Sequence, residues 1–228
     1  MAKGNKKLPC ISPRRLCLDF QHVPYTYLNE NNATVSDTYS GTMRVADCDY
    51  YLNTGDIPCT THHVVVVPDA SMYSAQMNTT DTTAGGYVGS RMRTVHLRRA
   101  EAIFKACFGE SHVLKHREYL VNTVKKTTYD SSLEVNDSAG AWYDSTVELM
   151  DERMVFDSAS YANTSLTSVS HKQLSLFKND TSRIASENWY WLRNSTYGSD
   201  FAAVAADGFR LSGIANFSGG VRPAALIY

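Results

Sequence analysis

The sequence predicts a single mixed α+β domain, on three observations. The chain of 228 residues is 43% hydrophobic and 20% charged, enough apolar material for one well-buried core. Leu97, Ala100, Ile103, Phe104, Cys107 and Phe108 recur at the spacing of one helix face, and Gly109 stands where such a helix stops. From residue 189 onward the chain instead reads as short apolar runs separated by Gly, Asp and Ser, the pattern of strands joined by turns.

Taken in order, residues 1–41 mix Lys, Pro, Asn and Thr without sustained periodicity and contain a turn-rich stretch at 29–32, so they read as an N-terminal arm, flexible or anchoring. The folded domain then spans 42–228. Residues 44–52 alternate partly and are rich in Val, Tyr and Asp, and 62–67 form an apolar run ended by Pro68; both suit strands. Residues 112–124 fit either a strand pair or a short helix, and 127–138 read as a polar loop. The Asp151 carboxylate is placed to cap a short helix through Phe156, and a second short helix is expected over 171–177. Strands follow at 189–192, 201–204, 209–211 and 221–227, with Asp207-Gly208 as a hairpin turn. No repeat at a fixed period and no long low-complexity tract interrupts this reading.

Several functional classes fall away on composition. A formal net charge of −1 gives no reason to expect nucleic acid as partner, and the basic groups Lys3, Lys6, Lys7, Arg14, Arg15 and Arg91, Arg93, Arg98, Arg99 read as solvated surface. No window reaches the roughly 18 apolar residues of a membrane-spanning helix, so no membrane insertion is expected. Residues 1–13 lack the apolar centre of a secretory signal, which points to synthesis in a cytoplasm. The five cysteines (Cys10, Cys17, Cys48, Cys59, Cys107) are odd in number and unevenly spaced, which favours buried free thiols over a disulfide framework or a zinc ribbon. The Asn-x-Ser/Thr triplets at Asn32, Asn78, Asn163, Asn194 and Asn216 then read as polar surface.

Candidate chemical groups are sparse. His112 and His116 stand four apart, but Val113 occupies the place where a metalloprotease helix needs Glu. His62 and His63 are neighbours ahead of a strand, whose side chains point to opposite faces, so they are poorly placed to share a metal. No Gly-rich phosphate loop, Gly-x-Ser-x-Gly elbow or local Cys–His signature is present. The expectation is a binding protein without catalytic residues, metal or cofactor.

The tail is the informative segment. After Trp191 there is no Lys, Glu, Gln, Met or Trp, whereas Asn, Ser, Thr, Tyr, Asp, Phe, Ala, Gly, Arg, Leu and Ile remain. That set is reached by randomising the first two positions of an Asn codon of the form A-A-pyrimidine. A small Gly/Ala-rich strand region has the same composition on structural grounds alone.

The run Trp189-Tyr190-Trp191-Leu192-Arg193, then Phe201-Ala202, Val204, Gly208 and Gly220-Val221-Arg222-Pro223, resembles the C-terminal signature of phage proteins with a C-type-lectin-like fold. These are similar to the variable proteins of diversity-generating retroelements, including phage tropism determinants. Upstream, Arg91-Met92-Arg93-Thr94, Phe108-Gly109, Glu148-Leu149-Met150, Glu152, Val155-Phe156 and Gln173-Leu174-Ser175-Leu176-Phe177 resemble the same group, so the likeness begins near Thr42. The resemblance implies an α+β, C-type-lectin-like fold of short antiparallel strands, one or two main helices and long irregular loops. It implies a virion surface protein, made in the bacterial host, that binds a host-cell receptor, protein or glycan, and sits among other virion proteins. It also implies a homo-trimer, although the arm carries no sustained heptads.

Mapped onto this chain, the resemblance gives a fixed frame of Trp191, Leu192, Arg193, Phe201, Ala202, Val204, Gly208, Gly220, Val221, Arg222 and Pro223. The displayed, ligand-binding positions are Asn194, Thr196, Tyr197, Ser199, Asp200, Ala203, Ala205, Asp207, Phe209, Arg210, Leu211, Ser212, Ile214, Asn216 and Phe217. Tyr197, Phe209, Arg210 and Phe217 are the anchor candidates, since rigid aromatic rings and Arg supply most binding energy at interfaces. Two rival readings remain: a structural capsid or tail decoration without ligand, and an enzyme of the formylglycine-generating type, which shares the fold. The latter needs reactive cysteines near the C-terminal part of the domain, and none lies beyond Cys107.

Overall fold

A computed structural model describes residues 17–124, 138–160, 172–196 and 198–228. The described residues open with a long hairpin, β1 (Cys17–Leu28) and β2 (Thr34–Cys48), followed by β3 (Val64–Pro68) and β4 (Tyr73–Gln76). A helical segment follows: α1 (Gly86–Gly89), a π-helical turn (Met92–His96) and α2 (Leu97–Phe108). Then come β5 (His116–Val124), β6 (Ser138–Ser145), β7 (Val147–Leu149), α3 (Glu152–Phe156) and α4 (Ser175–Asn179). The chain closes with β8 (Tyr190–Ser195), β9 (Asp200–Val204), β10 (Arg210–Ile214), β11 (Ser218–Val221) and β12 (Pro223–Ile227). The first sheet runs β1-β2-β3-β12-β7, the second β10-β9-β8-β11-β4, and β5-β6 form a separate pair. Only Arg222 separates β11 from β12, so one short segment serves both five-stranded sheets.

The expected α+β, C-type-lectin-like arrangement of short strands and long irregular loops is corrected by this architecture. The described residues are dominated by strand, gathered in three sheets. β1 and β2 are 12 and 15 residues long, and α2 is the sole helix longer than five residues among the described residues. The largest departure lies in residues 17–41, which are strand rather than arm. They read as irregular because the hairpin leaves much of its surface open, and its buried rings, Tyr25 and Tyr39, are isolated among polar neighbours. The turn-rich stretch at 29–32 is the tip of this hairpin. Asn29 N–H donates to the Ala33 carbonyl at 3.0 Å, and Asn29 Oδ1 accepts from the N–H groups of Asn31 and Ala33.

Local signals elsewhere are realised. α2 buries Leu97, Ala100, Ile103 and Phe104 and ends at Gly109, whose φ of 89° is open to glycine at no steric cost. Asp151 caps α3 by accepting from the N–H groups of Arg153 and Met154. The second short helix starts later than expected, at Ser175. Residues 112–124 resolve into a short 3-10 turn and β5, whose partner β6 comes from a later segment, and most of the expected loop at 127–138 lies outside the described residues. Cys48 is disulfide-bonded, which corrects the expectation of free thiols throughout; a single bridge leaves no spacing pattern in a sequence. Cys17, Cys59 and Cys107 are free.

The central strands are covered on both faces. Val66, Trp191, Phe201, Ala203, Val221 and Ala225 face one apolar cluster, shared with α2, Tyr87 and Leu120. The alternate residues Val65, Val67, Tyr190, Leu192, Ala202, Val204 and Leu226 face a second cluster, shared with α3, α4, Tyr50 and Tyr51. Burial on both faces accounts for the near-continuous apolar runs of β3, β8, β9 and β12. Trp191 sits at the centre: it is fully buried, its indole N–H donates to the Ala75 carbonyl at 2.9 Å, and its ring lies edge-on to Trp189. Gly219 is required beneath this pair, because a Cβ there would come within 2.4 Å of the Trp189 ring.

Truncating Trp191 to Ala should cost roughly 3 to 5 kcal/mol in urea unfolding, from lost apolar burial, the cavity and the orphaned Ala75 carbonyl. Phe209→Ala, at a residue 72% exposed, should stay within about 0.5 kcal/mol of wild type. Comparable losses in the two variants would mean that the frame and the open edge are not distinct.

Candidate ligand-binding edge

The β9–β10 hairpin is made locally. Gly208, with φ of 90°, provides the turn, the Gly208 N–H donates to the Ala205 carbonyl at 2.9 Å, and Ala205 N–H donates to the Phe209 carbonyl at 2.8 Å. Antiparallel pairing from Arg210↔Val204 to Ile214↔Asp200 then lays β10 along the outer edge of the second sheet. β9 is buried on both faces while the adjacent β10 is exposed or half-buried throughout.

The expected display positions separate accordingly. Ala205, Asp207, Phe209, Arg210, Leu211, Ser212, Ile214, Asn216 and Phe217 are exposed or half-buried, and they form one continuous edge from the hairpin tip through β10 to the following turn. Ser199 and Asp200 are half-buried at the far end of β9, where Ser212 Oγ donates to Asp200 Oδ2 at 3.2 Å and burial raises the Asp200 carboxyl above its usual value. Thr196 and Ala203 are corrected: they are 0% and 1% exposed and have no surface to offer a ligand. Asn194 is half-buried, and its Oδ1 accepts from Glu152 N–H at 2.7 Å at the start of α3, which makes it a brace. Tyr197 lies outside the described residues. The frame residues Trp191, Val204 and Val221 are all fully buried.

A groove of about 600 Å³ opens beside the hairpin tip, between Phe156, Thr181 and Ile184 on one side and Asp207, Gly208, Phe209 and Arg210 on the other. The Arg210 guanidinium stands 4.5 Å from the Phe156 ring centroid and donates to Ser158 Oγ at 2.6 Å, to the Ser158 carbonyl and to Ser160 Oγ. It is therefore held in place before any ligand arrives, which lowers the ordering cost of binding. The opposite wall is fixed from beneath by buried Arg222, which donates to the carbonyls of Pro68, Arg183 and Ile184 and lies against the rings of Phe177 and Tyr190. Phe156, Thr181 and Ile184 were not expected at the site. They come from segments remote in sequence, and no local pattern marks them.

A second set of polar side chains is sealed in the interior. Glu118, 2% exposed, accepts from the Arg193 guanidinium and the Tyr51 hydroxyl, with His116 Nε2 at 3.6 Å. Arg193 also reaches Asp151 Oδ2 at 3.5 Å. Nearby, Glu148 accepts from Arg93 Nε at 2.9 Å, Ser145 Oγ at 2.8 Å and the Tyr87 hydroxyl at 2.8 Å. Burial pushes the Glu118 carboxyl up, but Arg193, His116 and Tyr51 outweigh it and hold it well below the usual carboxylate range. For Glu148 burial prevails over Arg93 and raises the pKa. Residue types suited to acid–base chemistry thus meet here without access to solvent, and what the cluster does is bind β5, β7, β8 and α3 to one another.

The histidine pairs do not converge. His112 is exposed on a 3-10 turn while His116 is buried at the start of β5. His62 meets Asp49 at 2.8 Å, whereas His63 Nδ1 lies 2.8 Å from the Thr61 carbonyl and its Nε2 accepts from Tyr51 N–H. Among the described residues no group of three or more His, Cys, Asp or Glu is arranged to hold a metal ion. Comparison with protein-family models, with curated proteins and with solved structures finds no match to this chain.

Replacing Glu118 with Gln should cost about 3 kcal/mol at neutral pH, because buried Arg193 loses its nearer carboxylate and keeps only the longer contact to Asp151. A carboxyl depressed in the folded state stabilises the fold above its unfolded value near 4.5, and that stability is lost as pH falls below it. Glu148, raised in the fold, acts in the opposite sense in both proteins. Urea stability measured from pH 6 to pH 2 should therefore fall less steeply in Glu118→Gln than in wild type. Equal slopes would show that Glu118 does not enter the fold as an ionised partner.

Proposed function

We propose that the chain is a phage or prophage virion surface protein that binds a host-cell surface molecule non-covalently, through the edge formed by β10 and its flanking turns. One observation carries the reading. Of the six large hydrophobic residues exposed among the described residues, Phe209, Leu211 and Phe217 fall within nine consecutive positions of this edge. Exposed apolar side chains gathered along one strand and its flanking turns, with a groove and a tethered Arg beside them, have the composition of an interface anchor region. The strand beneath is packed on both faces, so side chains on β10 can change without disturbing the backbone that presents them. The placement on a virion, and exchange of the edge residues between copies, are supported by the resemblance of the tail motifs and by the selective residue set after Trp191.

Single alanine variants at Phe209, Arg210 and Phe217 should weaken adsorption to host cells by roughly 1 to 4 kcal/mol, about fivefold to about a thousandfold, wherever the residue lies at the centre of the contact. Alanine at Lys105 or Lys178, away from this edge, should leave adsorption unchanged. Melting temperature controls for folding. Unchanged adsorption after combined substitution of the edge, with the fold intact, would leave the structural decoration reading in its place.

A further inference from the structure

A second groove, about 480 Å³, opens at the opposite edge of the same sheet, where β4 is the outer strand. By strand spacing it lies roughly 19 Å from β10, and its size is within the roughly 300–1,000 Å³ of small-molecule sites. Its walls come from three elements: Tyr27 at the tip of the β1–β2 hairpin, Tyr73 and Gln76 on β4, and Arg91, His96 and Arg99 along the helical segment.

The charges in this groove are compensated. Arg91 is paired with Glu30, and Arg99 with Asp37 at 2.8 Å. Burial and the neighbouring Arg91 lower the pKa of His96, which keeps the imidazole neutral at neutral pH. The Arg99 guanidinium lies 4.8 Å from the Tyr73 ring centroid and 5.6 Å from that of Tyr27, which fixes both rings. Hydrogen-bonding capacity is left over. The Gln76 amide nitrogen donates to the Asn216 carbonyl, leaving its oxygen to the groove, and the His96 ring and the Tyr27 hydroxyl make no hydrogen bond among the described residues.

These features select a ligand chemistry. An anion would meet the Glu30 carboxylate and an Arg99 already paired with Asp37, and an apolar ligand would strand His96 and Gln76 without water or partner, at a cost for each desolvated group. Hydroxyl groups both donate and accept, so they match a half-buried imidazole and an amide oxygen. Adjacent hydroxyls also fit a guanidinium–carboxylate pair such as Arg91–Glu30, one oxygen accepting and the other donating. We propose that the groove between the β1–β2 hairpin, β4 and the helical segment is a binding site for a neutral saccharide. It is separate from the β10 edge and does not rest on the role assigned there.

Titration of the full chain with lactose, maltose and N,N′-diacetylchitobiose, with 3′-sialyllactose as the acidic comparison, tests this by saturation-transfer NMR and calorimetry. At least one neutral disaccharide should bind saturably at millimolar concentration. His96→Ala or Gln76→Ala should weaken that binding about tenfold, as loss of one or two hydrogen bonds does, and Tyr27→Phe, which keeps the ring, should weaken it less. Phe209→Ala should leave it unchanged, so this site and the β10 edge are read separately. The proposal is overturned if no neutral disaccharide binds, if sialyllactose binds best, or if binding survives these substitutions in folded protein.

Discussion

The buried pair of Arg193 and Glu118 is the constraint on which the remaining structure depends. Two charges taken out of water are tolerated only where each finds the other and further hydrogen bonds besides. Here the partners arrive from different elements: Arg193 from β8, Glu118 from β5, Tyr51 from the stretch after β2 and Asp151 from the start of α3. Separating Arg193 from Glu118 strands charge in the interior, and displacing Tyr51 or Asp151 removes a further partner, so the pair fixes these elements with a precision that apolar packing alone does not demand. Asp151 serves twice, since the carboxylate that faces Arg193 also caps α3.

From β8 the constraint passes outward. β9 pairs with β8 and is held between both apolar clusters, and β10 pairs with β9 but lies beyond them. Rigidity and openness therefore meet across a single ladder of hydrogen bonds. The far side is held by Arg222, whose buried guanidinium ties the carbonyls of Arg183 and Ile184, the outer wall of the groove beside Phe209, to the end of β3. Arg222 stands between β11 and β12, so the junction of the two sheets is tied to the backbone of Ile184 in the groove wall.

The two grooves at the ends of the second sheet differ in what they present. Beside β10 the surface is apolar and aromatic, with Phe209 largely open to solvent on one side and Phe156 under a tethered guanidinium on the other. Beside β4 the rings are covered by Arg99, the charges cancel, and the free groups are polar. One suits a large complementary surface; the other suits a small hydroxylated molecule.

What the sequence determined by itself was everything carried by neighbours along the chain. The face of α2 and its stop at Gly109, the Asp151 cap and the Asp207-Gly208 turn follow from spacing and from backbone groups satisfied within a few residues. The burial of Trp191, Val204 and Val221 was legible as well, since large apolar residues in short runs have few other places to go. The tertiary structure alone decided which strands have two covered faces. Alternation marks a strand with one open face, so β9 concealed that Ala203 is buried like Ala202, and the tail motifs wrongly gave Ala203 and Thr196 a surface. It alone also decided that the first described residues form a hairpin with Tyr25 and Tyr39 in the core, and that Phe156, Thr181 and Ile184 stand opposite Phe209. Sheet pairing and groove walls join residues tens to hundreds of positions apart, and the energy that selects them is burial against partners that no local window contains.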